Sequence, residues 1–271
     1  MDVTISGKNS RTTIQEIFAA RFLIMQLAKR DFSVRYKQTS LGWLWAIINP
    51  FVSFVLYAYV FGLLVKVPTP EYNAPFAAVL IVGILFWNFF SSSMTAVSDS
   101  LVNNIGLIKK VYFPRAVFGI ASVFVSVIDF LIALIFFIPI LVYLNVDFDV
   151  LKMTIYLPFC ALVTLLLSWG IGSWLAILKM KYKDFRHVIP LLLQVLFYAS
   201  PIVYTASIIP EDYKFVYNLN PLAHIFEMAR YATLNSGGLP QLLPTFFGSL
   251  FVAILGGLYF VYNERKVVDL E

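Results

Sequence analysis

Six blocks of mostly apolar residues, near 41–65, 75–98, 117–144, 153–178, 188–208 and 242–262, restrict what this chain can fold into. A helix needs about 20 predominantly apolar residues to cross a hydrocarbon layer of about 30 Å, and each block is of that order. Backbone groups in lipid must bond within their own segment or around a closed barrel, and these blocks lack the period-two alternation of barrel strands. The expectation is an all-α integral membrane protein with about six transmembrane helices. Of the 271 residues, 60% are hydrophobic and 13% charged, against about half and about a quarter in soluble domains. Too few polar residues remain to coat a water-facing surface.

The basic residues set the orientation. Lys8, Arg11, Arg21, Lys29, Arg30, Arg35 and Lys37 precede the first block; Lys109, Lys110 and Arg115 follow the second; Lys179, Lys181, Lys183 and Arg186 follow the fourth; Arg265 and Lys266 follow the sixth. These are sixteen of the twenty, and only Lys66, Lys152, Lys214 and Arg230 fall in the alternate gaps. Cytoplasmic loops retain Lys and Arg, so both termini are expected in the cytoplasm. The net charge of +5 is thus a matter of topology, and short clusters between apolar runs offer no continuous face to nucleic acid. Met1 to Arg11 lacks the apolar core and cleavage site of a signal peptide, so the amino terminus is expected to be retained. The single cysteine, Cys160, excludes a disulfide framework or a Cys cluster within one chain.

Two segments outside the blocks carry helical patterning. In 14–38, Ile14, Ile17, Phe18, Phe22 and Met25 recur at helical spacing in a stretch too charged to span, which predicts an amphipathic helix at the cytoplasmic interface. It serves as an anchor or as a docking surface for a cytoplasmic subunit. In 209–240, Pro210, Pro221, Pro240, Gly237 and Gly238 forbid an uninterrupted span. There, Leu222, Ile225, Phe226, Ala229 and Ala232 form a stripe, with His224, Glu227 and Arg230 off it. One or two short re-entrant or interfacial helices are predicted on the outer side, filling a gap in the bundle or lidding a pathway.

Motifs for covalent chemistry are absent from the sequence. No G-x-x-x-x-G-K-[ST] run is present to hold nucleotide phosphates, and no H-E-x-x-H or G-x-S-x-G occurs. His187 and His224 are predicted on opposite membrane faces, so no metal site is expected. Asp129 sits near the middle of the third block, where an unpaired charge costs several kcal/mol. It must be protonated, paired or turned to an aqueous cavity; structural hydrogen bonding to a neighbouring helix is the first reading and a proton relay the second. Trp43, Trp45, Tyr57, Tyr59 and Phe61 line the first block. Interface anchoring explains its ends, while the deeper Tyr57 and Tyr59 suit either helix packing or stacking on sugar faces.

The run Arg30-Asp31, then Arg35-Tyr36-Lys37-Gln38-Thr39-Ser40-Leu41-Gly42-Trp43-Leu44-Trp45, ending at Asn49-Pro50, resembles the start of the membrane subunit of type-2 ABC exporters for polysaccharides, the group that exports O-antigen, capsule and teichoic acid. Asn103-Asn104 with Leu107-Ile108-Lys109-Lys110 and Phe113-Pro114-Arg115 resembles that family's cytoplasmic loop between spans two and three. Lys181-Tyr182-Lys183-Asp184-Phe185-Arg186 with Pro190 resembles the next cytoplasmic loop, and Ser200-Pro201-Ile202 and Leu219-Asn220-Pro221 its outer segment. The matches keep their order from about residue 30 to 221.

The resemblance implies a single transmembrane permease domain over 1–271 in a bacterial cytoplasmic (inner) membrane. It further implies a homodimer joined to two copies of a separate ABC ATPase, with a lipid-linked glycan and membrane lipids as its other partners. The chain itself binds no cofactor on this reading; ATP and Mg belong to the ATPase. Asn104, Leu107, Ile108, Lys109, Lys110, Val111, Phe113 and Pro114 become the expected coupling segment, with Leu107, Ile108, Val111 and Phe113 inserting into the ATPase. Arg35 and Lys37, at the mouth of the first span, suit a diphosphate head group through charge-assisted bonds, or simply orient the chain against lipid. Trp43, Trp45, Tyr57 and Tyr59 are the expected pathway residues. Competing readings are a permease for a drug or small lipid, a membrane glycosyltransferase or glycan ligase, and a secondary transporter. No paired carboxylates or internal repeats speak for the last two.

Overall fold

The computed structural model describes residues 14–37, 39–110, 114–238 and 241–268. Two helices, α1 (Ile14–Ala19) and α2 (Arg21–Tyr36), lead into α3 (Trp45–Tyr57), which continues as a π-helical stretch over Ala58–Leu64. Then follow α4 (Phe76–Asn103), a single-turn α5 (Ile105–Ile108), α6 (Ala116–Tyr143), α7 (Val150–Lys181) and α8 (Phe185–Ala199). Short α9 (Lys214–Asn218), then α10 (Pro221–Leu234) and α11 (Leu242–Val268), complete the chain. Among the described residues there is no strand.

Five segments are long and apolar enough to cross a membrane: Gly42–Leu64, Phe76–Asn103, Ala116–Tyr143, Val150–Lys181 and Leu242–Glu264. The fifth expected block yields the shorter apolar helix α8, whose 15 residues reach about 22 Å. Proline explains the stop. Ser200 precedes Pro201, which drives it out of the helical region to φ −106°, ψ 148°, and the following Ile202 and Val203 fold back into the core.

Helix directions follow from the contacts at their ends. Arg30 bonds Asn104, Lys179 pairs with Asp99, and the Arg115 guanidinium donates to the Glu264 carbonyl, all at one end of the bundle. Lys152 donates to Asn235, and the Asn73 amide to Ser236, at the other. The chain segments predicted to share a side therefore do share an end, and the first of these is called the basic end below.

At the centre stands α4, buried along most of its length against α6, α7 and α10. Small residues let the helices come this close, as is usual where lipid supplies no hydrophobic drive between them. Gly170 of α7 and Gly256 of α11 meet backbone to backbone, and a Cβ on either would run into the other helix. Gly172, two residues on, turns to α4, where a Cβ would lie 2.9 Å from the Met94 carbonyl.

Packed between α4, α7 and α11, α10 is far more buried than a surface helix. The Asn220 side chain caps it by accepting from the Leu222 amide, Pro221 starts it, and Asn235 ends it in a left-handed conformation at φ 46°. The expected stripe is inside, but so are residues expected off it. Arg230 is 0% exposed, its guanidinium donating to the carbonyls of Val79 (3.1 Å), Ile202 (2.9 Å) and Tyr204 (3.4 Å), with the Tyr72 ring beside it. A bare guanidinium there would cost several kcal/mol. Gly83 makes room for it, since a Cβ would sit 3.0 Å from the Arg230 Nη2 atom.

The α2 helix runs beside the first half of α6. Leu27 packs with Val117, Phe118 and Ala121, flanked by Ala20, Leu23, Ile24 and Ala28, while Tyr36 meets Asp129 further along. Of the apolar positions predicted for the interface helix, Ile17 packs inward and Phe18, Phe22 and Met25 stay exposed. Gly42, at φ +53°, allows the turn from α2 into α3 that a side chain would strain.

The glycine contact yields a stability test. Gly256→Val is expected to lower the melting temperature of the purified protein, with an overpacking penalty of about 1–3 kcal/mol or more. Gly248→Ala, whose Cβ would meet nothing within 4 Å, is expected to melt with the wild type.

Candidate functional site: a polar groove along α4

The groove begins with helical periodicity on α4. Asn88, Ser91, Ser92, Thr95, Ala96, Asp99, Asn103 and Asn104 return at three- and four-residue spacing and line two adjoining cavities, of about 700 and 600 Å³. Arg35 and Ala96 line both. From Asn104 to Asn88 the track covers about 24 Å of helix. Its other walls are α2, the turn after it, α3 and α6, which supply Arg30, Asp31, Thr39, Trp45, Asn49, Pro50, Ser122, Ser126 and Asp129. The Ser91 and Ser92 hydroxyls donate to the Asn88 and Phe89 carbonyls of the preceding turn, which leaves their oxygens as acceptors toward the groove.

Charge is concentrated where α2 meets α6. Arg35 reaches Asp129 through Nη1 and Oδ2 at 2.7 Å, and the Tyr36 hydroxyl donates to Oδ1. Burial, and then the Asp129 carboxylate, push the Tyr36 hydroxyl above its ordinary range, so it remains a donor. The Asp129 side chain is 14% exposed and that of Arg35 47%, so the pair faces the cavity and is not sealed in the core. Of the possibilities open to Asp129 in the sequence, the structure combines two: it is paired and it faces a cavity.

Nearer the basic end, Arg30 forms a fork with Asp31 and passes Nη2 to the Asn104 side-chain carbonyl at 2.7 Å. Asn104 is buried, and its amide donates to the Ser100 carbonyl at 2.8 Å. This chain of bonds joins α2 to the α4–α5 corner. Lys179 of α7 pairs with Asp99 on the same helix face.

The expected pathway residues divide. Arg35 and Trp45 line the larger cavity. Trp43 lies outside it, its ring centroid 6.2 Å from that of Phe136. Tyr57 packs against Phe61 and Phe197 in the apolar half, Tyr59 is exposed on α3, and Lys37 is exposed beyond the end of α2. The expected coupling residues divide too. Leu107, Lys109 and Lys110 are exposed, whereas Ile108 is half-buried and touches the clusters around both Leu27 and Leu101. Pro114 accepts from the Val117 amide at the start of α6. Val111 and Phe113 lie outside the described residues.

Sequence reasoning missed Tyr36, Thr39, Asn49, Ser126 and the polar face of α4 as one surface. Its available signal was polar residues at helical spacing inside an apolar block. Among the described residues no cluster of His, Cys, Asp and Glu is placed to hold a metal ion. The groove offers fixed donors and acceptors, the guanidiniums of Arg30 and Arg35 and the rings of Tyr36, Trp45, Phe89 and Phe130, a set suited to binding a hydroxylated or anionic molecule.

Native Cys160 is fully buried and provides a silent background for labelling. Ser92→Cys and Thr95→Cys are expected to react with a small charged methanethiosulfonate applied from the basic end. Ser93→Cys, whose parent side chain is 0% exposed, is expected to stay unmodified; equal labelling of all three by mass spectrometry would erase the groove.

The family model for the ABC-2 type transporter matches residues 23–234. The chain is 29% identical to an O-antigen export system permease protein of Klebsiella pneumoniae, over 92% of this chain and 90% of that one. It is 26% identical to an O-antigen export system permease protein of Myxococcus xanthus, over 93% and 96%. Similarity to the polysialic acid transport protein of Escherichia coli is 26%, over 76% and 78%.

Proposed function

We propose, from the premise that this chain belongs to the ABC-2 type transporter family, that it is the membrane subunit of an ATP-driven exporter of a lipid-linked polysaccharide. The cargo is of the O-antigen, capsule or teichoic-acid type, moved from the cytoplasm to the outer face of the bacterial cytoplasmic membrane. Two copies of the chain form the membrane unit, with both termini and the basic end in the cytoplasm. Two copies of a separate ABC ATPase bind and hydrolyse ATP with Mg.

The observation that carries this reading is the groove, in which a strip of polar side chains on α4 runs from beside the coupling segment past Arg35, within a lining that also holds Leu85, Phe89, Phe130 and Leu193. A drug or small lipid would not call for a track of hydroxyl and amide groups about 24 Å long. A sugar chain would, because each ring presents hydroxyls that need partners once water is stripped away. The relatives named for O-antigen export and polysialic acid transport support the same cargo class. On this reading Arg35 meets the head-group diphosphate by charge-assisted bonds.

For coupling, the ATPase must contact the α5 corner differently in its two states. Leu107 is the exposed apolar residue there, and the Asn104–Arg30 bond carries its displacement to α2. Leu107→Asp is expected to abolish export at normal membrane level, while Ile108→Asp is expected to impair folding as well. Normal export by Leu107→Asp would remove α5 from the mechanism. Depletion of the protein in its native cell is expected to trap finished lipid-linked glycan on the cytoplasmic side and clear it from the surface. Unchanged glycan on both faces would refute the cargo assignment.

A further inference from the structure

Asp129 stands in the middle of α6, on the wall of the larger cavity, and holds the one guanidinium there that is accessible to a ligand. Resting on the head-group reading above, we propose that Asp129 is the resident counter-anion of Arg35, and that a lipid-linked diphosphate takes over the guanidinium when it enters the cavity. Loading is then an exchange of anions on a fixed cation.

Three features support exchange over a permanent pair. First, the contact runs from Nη1 to a single carboxylate oxygen, Oδ2, so an arriving phosphate can be met by the remaining N–H groups before the carboxylate leaves. Second, the carboxylate has somewhere to go. The Tyr36 hydroxyl already donates to Oδ1. One turn earlier on α6, Ser126 lines the same cavity, 1% exposed, with its Oγ atom lacking a hydrogen-bond partner. A buried hydroxyl without a partner is uncommon, and its position three residues before Asp129 puts it on the same helix face. Third, Arg35 rides on α2, which Arg30 ties to Asn104 at the coupling corner. Movement of that corner can therefore return Arg35 to Asp129 and expel the phosphate, which an inert head-group clamp could not do.

The exchange also sets affinity. With Asp129 ionised and in place, a diphosphate must displace one anion and tolerate its charge nearby, so binding is held below what the guanidinium alone would give. Removing the competitor should tighten it.

The test uses the complex with its ATPase in nanodiscs of zwitterionic lipid and reads the affinity for undecaprenyl diphosphate. Asp129→Asn is expected to bind about tenfold tighter, as the loss of one charge-assisted competitor requires, and Arg35→Gln about tenfold weaker. The double variant should match Arg35→Gln, because the gain exists only through Arg35. Ser126→Ala, which removes a hydroxyl and no charge, should bind several-fold weaker and serves where Asp129→Asn does not assemble. Unchanged or weaker binding by Asp129→Asn, with Arg35→Gln still weak, refutes the counter-anion and leaves the head-group reading standing. Unchanged binding by Arg35→Gln refutes the head-group reading itself. Inorganic pyrophosphate competing as well as the lipid would assign the pair to a free anion instead.

Discussion

Asp129 lies thirteen residues into α6, about 20 Å from its start, where hydrocarbon on all sides would make the charge very expensive. The surrounding architecture answers that demand. A partner has to come from a helix that reaches the same depth, and α2 does so by running beside α6 until Arg35 and Tyr36 meet the carboxylate. Because α2 occupies that place, α4 faces it across a gap, and the gap is the groove. Because α2 also carries Arg30, the helix that pairs Asp129 is the one bonded to Asn104 at the α4–α5 corner. One half-buried carboxylate thus places the interface helix, the groove and the bonded route between the α4–α5 corner and the cavity.

Elsewhere the bundle removes polar groups by local means. Thr164 and Ser168 donate back to the Cys160 and Thr164 carbonyls, and Ser98 and Ser100 do the same one turn back on α4. These hydroxyls are satisfied within their own helices, Ser168 also reaching the Phe90 carbonyl of α4, and so allow close packing of α4 against α7. Pro50 works the other way. It offers no N–H to the Ala46 carbonyl of the preceding turn, and both residues line the larger cavity, so the helix wall there is more polar than its sequence suggests.

Much of this was legible in the chain, because each readable feature is local. The sorting of basic residues and the extent of five spans follow from composition, whereas the fifth block was read on to 208 because hydropathy outweighed the signal of Pro201, which ends α8 at Ala199. The α4–α5 corner and the α2 run were legible as motifs. Pairing was not. Arg35 and Asp129 are 94 positions apart in the sequence, and nothing local says that α2 would reach that depth. Arg230 was misplaced for a similar reason: its acceptors are backbone carbonyls of Val79, Ile202 and Tyr204, which leave no side-chain signature. Tyr57 and Tyr59 show what a local pattern leaves open. They suited either helix packing or stacking on sugar faces, and the structure packs Tyr57 into an aromatic cluster and turns Tyr59, in the π-helical continuation of α3, outward.

The outer half of the bundle constrains how a passage can continue beyond the groove. Arg230 binds carbonyls of α4 and of the segment after α8 at once, with Gly83 making room for its guanidinium. Separating α10 both from α4 and from the segment after α8 would leave a guanidinium and three carbonyls without partners in an apolar setting, at a cost of several kcal/mol. The α4–α10 contact therefore behaves as one rigid body, and so does the α7–α11 contact, where backbones touch. What remains is the side of α3, whose helix changes to π-helical winding at Ala58 and is exposed along most of its length, and α8, too short to span. Of the spanning helices and α8, these two pack most loosely against the rest of the bundle, so they are the elements freest to move relative to the rigid α4–α10 and α7–α11 pairs.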